Sequence, residues 1–283
     1  MPCKTLLTVI TAHAARPAPD LSALDAAIGL ARSENAHLEA LCIGIDETPY
    51  GFFYGDASIA VLQDAPDRAL EAARAEEKRL KSRLSREDIR WSVDTALSQQ
   101  ATLSTVVSQR ARFSDLVVLS RPYGEGRNPV DVAVLEAALF DADVPVLVLP
   151  EGQAIAAEPR RIVVAWNRSP EALSAIRAAL PLLIRAQAVD IAIIDPEDYG
   201  PERSDPGGAL AQWLARHGVR AEISVLARTL PRVSEVLIRH LRDRQADLLV
   251  MGAYGHSRFR EAILGGATRE LLETAPVPVL MAR

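Results

Sequence analysis

Two kinds of apolar pattern alternate along this chain. Short, near-continuous apolar runs such as IVVAW (162–166) and DLLVM (247–251) read as strands covered on both faces, the habit of parallel sheets. Between them lie longer amphipathic stretches at helical spacing. The pattern predicts strands near 4–10, 37–45, 89–95, 115–120 and 144–149, then near 161–166, 188–195, 219–227, 247–252 and 276–282. Helices are predicted near 20–34, 57–86, 100–112 and 130–142, then near 169–185, 205–217, 231–245 and 266–274. Strand–helix alternation of this kind gives doubly wound α/β architecture with right-handed crossovers.

The pattern also repeats. SDLVVLSRPYG (114–124) matches ADLLVMGAYGH (246–256), which sets Asp115 and Asp247 132 residues apart. ADVPVLVLP (142–150) matches APVPVLMAR (275–283), which sets Pro145 and Pro278 133 apart. The two offsets agree to one residue, so the chain is a duplicated domain, far too long a unit for a solenoid. The boundary falls in the small-residue stretch EGQAIAAEP, which predicts domains at 1–150 and 160–283 joined by a linker at 151–159.

Composition narrows the function classes. The formal net charge is −5 with no long basic run, and aromatics are 5%, so neither a nucleic-acid nor an anionic-membrane surface is expected. No apolar stretch approaches the roughly 18 residues of a membrane span. The N-terminal run carries Thr5, Thr8 and Thr11 and reads as a first strand and not a signal peptide. Cys3 and Cys42 are too few for a disulfide framework and read as small core residues; a cytoplasmic, reduced protein is expected.

The segment richest in chemistry follows DLLVM: GAYGHSRFREAILGGATRELLETA. Gly252 and Gly255 have two residues between them; nine more separate Gly255 from Gly265, and Gly266 follows. Glycines let backbone approach a phosphate, and Gly265-Gly266-Ala267-Thr268 opens a helix whose free N–H groups favour anions. Thr268 adds a hydroxyl, and Arg258 and Arg260 add positive charge. The plainer reading is a turn followed by a helix cap. A Walker A loop and a GxGxxG fingerprint are both absent.

Strand–GxxG–nine residues–G, with GHSR after the second strand glycine and a closing VPVLM, resembles the universal stress protein family. The resemblance extends to the tandem form, two such domains in one chain. It implies two domains, each a five-stranded parallel sheet covered by helices, paired through their last strands about a pseudo-twofold axis within the chain; a further homodimer is open. It also implies an ATP site in the second half, with AMP or another adenylate and magnesium as variants. Carried over residue by residue, the site comprises Ala165, Trp166 and Asn167 after the first strand and Ile193 against adenine. Met251, Gly252, Gly255, His256, Arg258, Gly265, Gly266, Ala267 and Thr268 complete it. Two departures stand out: Asn167 occupies the place of an aspartate, and Gly266 the place of a Ser or Thr.

The first half departs further. Ser120 replaces the first glycine, Pro122 lies inside the loop, Gly124 and Gly126 do not restore the spacing, and Glu125 would repel phosphate. His13 is a candidate by position only, and otherwise an exposed loop histidine. This half is expected to be a structural partner. No catalytic residue is expected: His256 and Ser257 are neighbours with no third orienting group, and Glu261 alone is a poor magnesium site. The sequence therefore points to a non-enzymatic nucleotide switch read by a regulatory partner. A nucleotide-independent scaffold and a slow ATPase remain the alternatives.

Overall fold

The structure, a computed structural model, describes residues 3–13, 21–47, 64–124, 127–152, 159–196, 205–253 and 266–283. It divides into two compact units: Cys3–Pro122 with Gly126–Val144, and Pro145–Arg283 with Tyr123–Glu125 and Met1–Pro2.

In the first unit the strands are β1 (Thr5–Ala12), β2 (His37–Asp46), β3 (Arg90–Gln99) and β4 (Leu116–Ser120). They pair in parallel, in the order β3-β2-β1-β4. The helices are α1 (Ser22–Glu34), α2 (Ala65–Leu84), α3 (Leu103–Ala111) and α4 (Pro129–Glu136); a π-helical turn, Ala137–Asp141, continues α4. Of the helix expected over 57–86, residues 57–63 lie outside the described residues. Central strands carry leucine and isoleucine on both faces: Leu6, Leu7, Leu38, Leu41 and Ile43 are fully buried. The edge strand β3 is much less enclosed, with only Val93 and Ser98 buried among its ten residues.

In the second unit β5 (Val146–Leu149) precedes β6 (Arg161–Ala165), β7 (Ala188–Ile194), β8 (Ala221–Leu226), β9 (Leu248–Gly252) and β10 (Val279–Ala282). The order is β5-β10-β9-β6-β7-β8, parallel except for β5. Its helices are α5 (Pro170–Arg185), α6 (Gly208–Arg216), α7 (Val233–Asp243) and α8 (Gly266–Thr274).

The compact units divide ahead of β5, which by sequence is the fifth strand of the first copy. Its backbone pairs with β10 antiparallel, Val146 with Met281, Leu147 with Leu280 and Val148 with Val279. That register maps onto itself under the 133-residue repeat, as expected of two last strands meeting edge to edge.

The repeated aspartate has a structural reason. Asp115, just ahead of β4, accepts hydrogen bonds from the Lys4 and Thr5 backbone N–H groups at 2.7 and 2.9 Å. Asp247, ahead of β9, accepts from Arg160 and Arg161 N–H at 2.8 and 2.9 Å. Each carboxylate satisfies the otherwise open start of its domain's first strand. Burial works to raise the Asp115 pKa, but the Lys4 and Thr5 hydrogen bonds outweigh it and hold the carboxyl below its usual value. Burial, with help from nearby carboxylates, pushes both cysteine thiols up to about 12, so they stay protonated. Among the described residues no helix is long and apolar enough to cross a membrane.

Candidate functional site

In the second unit β6 lies between β9 and β7, so the chain's direction of winding reverses between β6 and β9. The carboxyl ends of strands at such a reversal form the natural crevice of a doubly wound sheet. A cavity of about 190 Å³ opens on the other side of β6, at the ends of β6 and β7. Trp166, Asn167 and Ile193 line it, together with Arg168, Asp195 and Gly207.

The turn from β6 into α5 is built locally. Asn167 Oδ1 accepts from the Ser169 N–H at 3.1 Å, and Ser169 Oγ caps α5 by accepting from the Ala172 N–H at 3.1 Å. Pro170 occupies the first helical turn, where its missing N–H costs nothing. Trp166 is tied to β7 by its N–H, which donates to Ala192 O at 2.9 Å. Its indole Nε1 is buried without a hydrogen-bond partner among the described residues. Gly207, at φ +88, brings the start of α6 against Ile193; a Cβ there would lie 2.7 Å from Ile193 Cδ1.

The other predicted residues take varied places. Ala165 ends β6, half-buried. Met251 is buried in β9, and neither it nor Ala165 belongs to the described lining of the cavity. Gly252 is glycine for a reason the spacing did not suggest: a Cβ there would fall 2.5 Å from Ala172 N and 2.8 Å from Glu171 C. The first turn of α5 therefore presses directly on the end of β9. Gly266 and Ala267 are exposed at the start of α8, and a Cβ on Gly266 would meet nothing within 4 Å. Thr268 is buried. Gly255, His256, Arg258 and Gly265, with Ser257, Arg260 and Glu261, lie outside the described residues.

Asp195 was not singled out from the sequence, although it heads the acidic stretch DPED after β7. The signal was one carboxylate among 37 acidic residues, with no spacing to mark it.

The first unit has its own reversal of winding, between β1 and β4. The cavity between the ends of β1 and β4 is only about 50 Å³, and Asp131 lines it. Asp131 Oδ2 accepts from the Asn128 N–H at 3.1 Å, and Thr11 Oγ1 donates to Asp131 Oδ1 at 3.4 Å. Asn128 Oδ1 accepts from the Val130 N–H, completing a capping box on α4. The amide of Asn128 meets His13 Nε2 at 3.2 Å, and His13 Nδ1 meets Glu47 at 2.9 Å. His13 is not the exposed loop residue expected, since its side chain is 6% exposed and both ring nitrogens are engaged. An internal carboxylate thus stands at the helix start, where a phosphate would need to come. Asn128→Ala is expected to destabilise this unit by about 1 kcal/mol through loss of the cap, readable by urea unfolding.

Comparison with known proteins follows the second unit closely. The family model described as the universal stress protein family matches residues 158–283. A universal stress protein of Synechocystis sp. is 30% identical over 110 residues, 39% of this chain and 35% of that protein. The match thus spans about a third of that relative's length. Among solved structures, a universal stress protein from Archaeoglobus fulgidus DSM 4304 has a TM-score of 0.72 at 13% identity, covering 99% of this chain and 98% of that one. A functionally unknown protein from Pseudomonas aeruginosa PAO1 has a TM-score of 0.59 at 17% identity, covering 98% and 92%. At such identities the structural likeness speaks for the fold.

Proposed function

We propose, for a chain whose residues 158–283 match the model of the universal stress protein family, that the second domain binds an adenine nucleotide and acts as a non-enzymatic switch. ATP is the first choice, with AMP or another adenylate as variants and magnesium as the counterion of the phosphates. The base lies in the cavity against Ile193, and the phosphates meet the start of α8, where exposed Gly266 and Ala267 offer backbone N–H groups. The first domain is a structural partner. A regulatory protein would read the loop's nucleotide-bound state, which requires different affinities for the two states.

One observation carries this reading. The crevice of the second unit holds open space lined by Trp166, whose indole N–H is buried with no partner among the described residues. A buried donor without a partner costs about 1–3 kcal/mol, which a ligand acceptor would recover.

The scaffold reading draws on Gly252, whose lack of a side chain is fully accounted for by α5. Thermal unfolding of the full chain with ATP and magnesium separates the two. At 100 times the dissociation constant, a ligand specific to the folded state stabilises it by about 2.7 kcal/mol. Gly266→Asp should abolish that shift: the site has room for the side chain, and an acidic residue at a helix start favours the helix while repelling phosphate. No shift in the wild-type protein leaves the scaffold. Phosphate released by wild type but not by the variant would make the protein an ATPase.

A further inference from the structure

The polar groups around the cavity are unbalanced. Trp166 Nε1 is a donor with no partner among the described residues. Asn167 has its carbonyl oxygen engaged by Ser169, which leaves its amide N–H groups. Arg168 can only donate. Asp195 is the one carboxylate among the described residues of the lining. It stands one residue past β7 and two past Ile193, and it is exposed. Its backbone is in the left-handed region at φ +48, a conformation that Asp, Asn and Gly tolerate best. Its N–H donates to Leu226 O at 3.0 Å, which ties this turn to the end of β8. The carboxylate has no hydrogen bond or ion pair among the described residues.

Resting on the nucleotide reading above, we propose that Asp195 selects the base: its carboxylate accepts a hydrogen bond from the 6-amino group of adenine. An ionised carboxylate only accepts, and an exocyclic amino group only donates. Hypoxanthine and guanine carry a carbonyl oxygen at that place. That oxygen would face the carboxylate acceptor to acceptor, with neither group satisfied. Selection therefore works as much by repulsion of the wrong base as by attraction of the right one. Asn167, whose side chain is turned back into its own loop, does not supply the missing acceptor; the neighbouring strand does.

The experiment is calorimetric titration of the full chain with ATP and with inosine triphosphate, each with magnesium. The two differ in the base at position 6, amino against carbonyl. The wild-type protein is expected to prefer ATP by about tenfold or more, the usual scale of a hydrogen bond to a charged group. Asp195→Asn keeps the backbone preference but can turn its amide toward a carbonyl. It should bring the ratio near one by weakening ATP and tightening inosine triphosphate. Asp195→Gly also tolerates the backbone and should lower the ratio through ATP alone. A preference that survives unchanged in both variants overturns the assignment of Asp195. Equal affinities in the wild-type protein overturn it while the nucleotide reading stands, and binding of neither ligand overturns both. Unliganded melting curves that match the wild-type protein show that the fold is intact in the variants.

Discussion

Asp190→Ala is expected to lower the stability of the second domain by about 3–5 kcal/mol at neutral pH, the range for removing one partner of a buried ion pair. Asp190 sits in the middle of β7 and is 7% exposed. Its Oδ2 accepts from His240 Nε2 on α7 at 3.1 Å, Ser224 Oγ on β8 at 3.1 Å and Arg244 Nε at 2.5 Å. Without the carboxylate, His240, itself 7% exposed, loses its partner in the core, and α7 loses its tie to the sheet. Burial works to raise the Asp190 pKa, but the His240 and Ser224 hydrogen bonds and the His240 and Arg244 charges outweigh it and hold the carboxyl below its usual value. The sign follows from linkage. A carboxyl depressed in the folded state stabilises above its unfolded value, about 3.9, and the contribution is lost as pH falls through the folded value. Urea unfolding at pH 7 should therefore separate variant from wild type widely, and the gap should shrink below about pH 4. A variant within 1 kcal/mol of wild type at pH 7 would refute this account.

Gly252→Ala is expected to cost about 1–3 kcal/mol by overpacking. The added carbon would meet the backbone of Glu171 and Ala172, not the mobile end of a side chain, so α5 itself must shift. The start of α5 is also what holds the turn carrying Trp166 and Asn167. The same substitution should thus weaken nucleotide binding without touching the ligand, a loss readable by titration. Gly266→Ala, placed in open space, is the control and should unfold close to the wild-type midpoint. If both variants melt alike, the contact between α5 and β9 does not explain Gly252.

Much of this architecture was legible beforehand because it is local. Runs such as LLVM announce covered strands wherever they occur, and the repeated Asp-Leu pair located the duplication before its hydrogen bonds to the first strands were seen. Trp166, Asn167 and Ile193 drew notice in the sequence because they sit at or just past strand ends, where a doubly wound sheet opens. The fate of individual polar atoms was not legible. That Asn167 folds its oxygen back onto Ser169 depends on the turn that Pro170 begins. That Asp131 bonds both Thr11 and the Asn128 N–H depends on the entry of α4 beside the end of β1.

Strand and helix periodicity, the duplication and the glycine spacing belong to the chain read in one dimension, since each arises from neighbours within a few residues or from a fixed offset. Why Gly252 must be glycine and which acid lines the cavity belong to the folded molecule. Those depend on distances between atoms such as Gly252 Cα and Ala172 N, 80 residues apart in sequence, that only packing brings together.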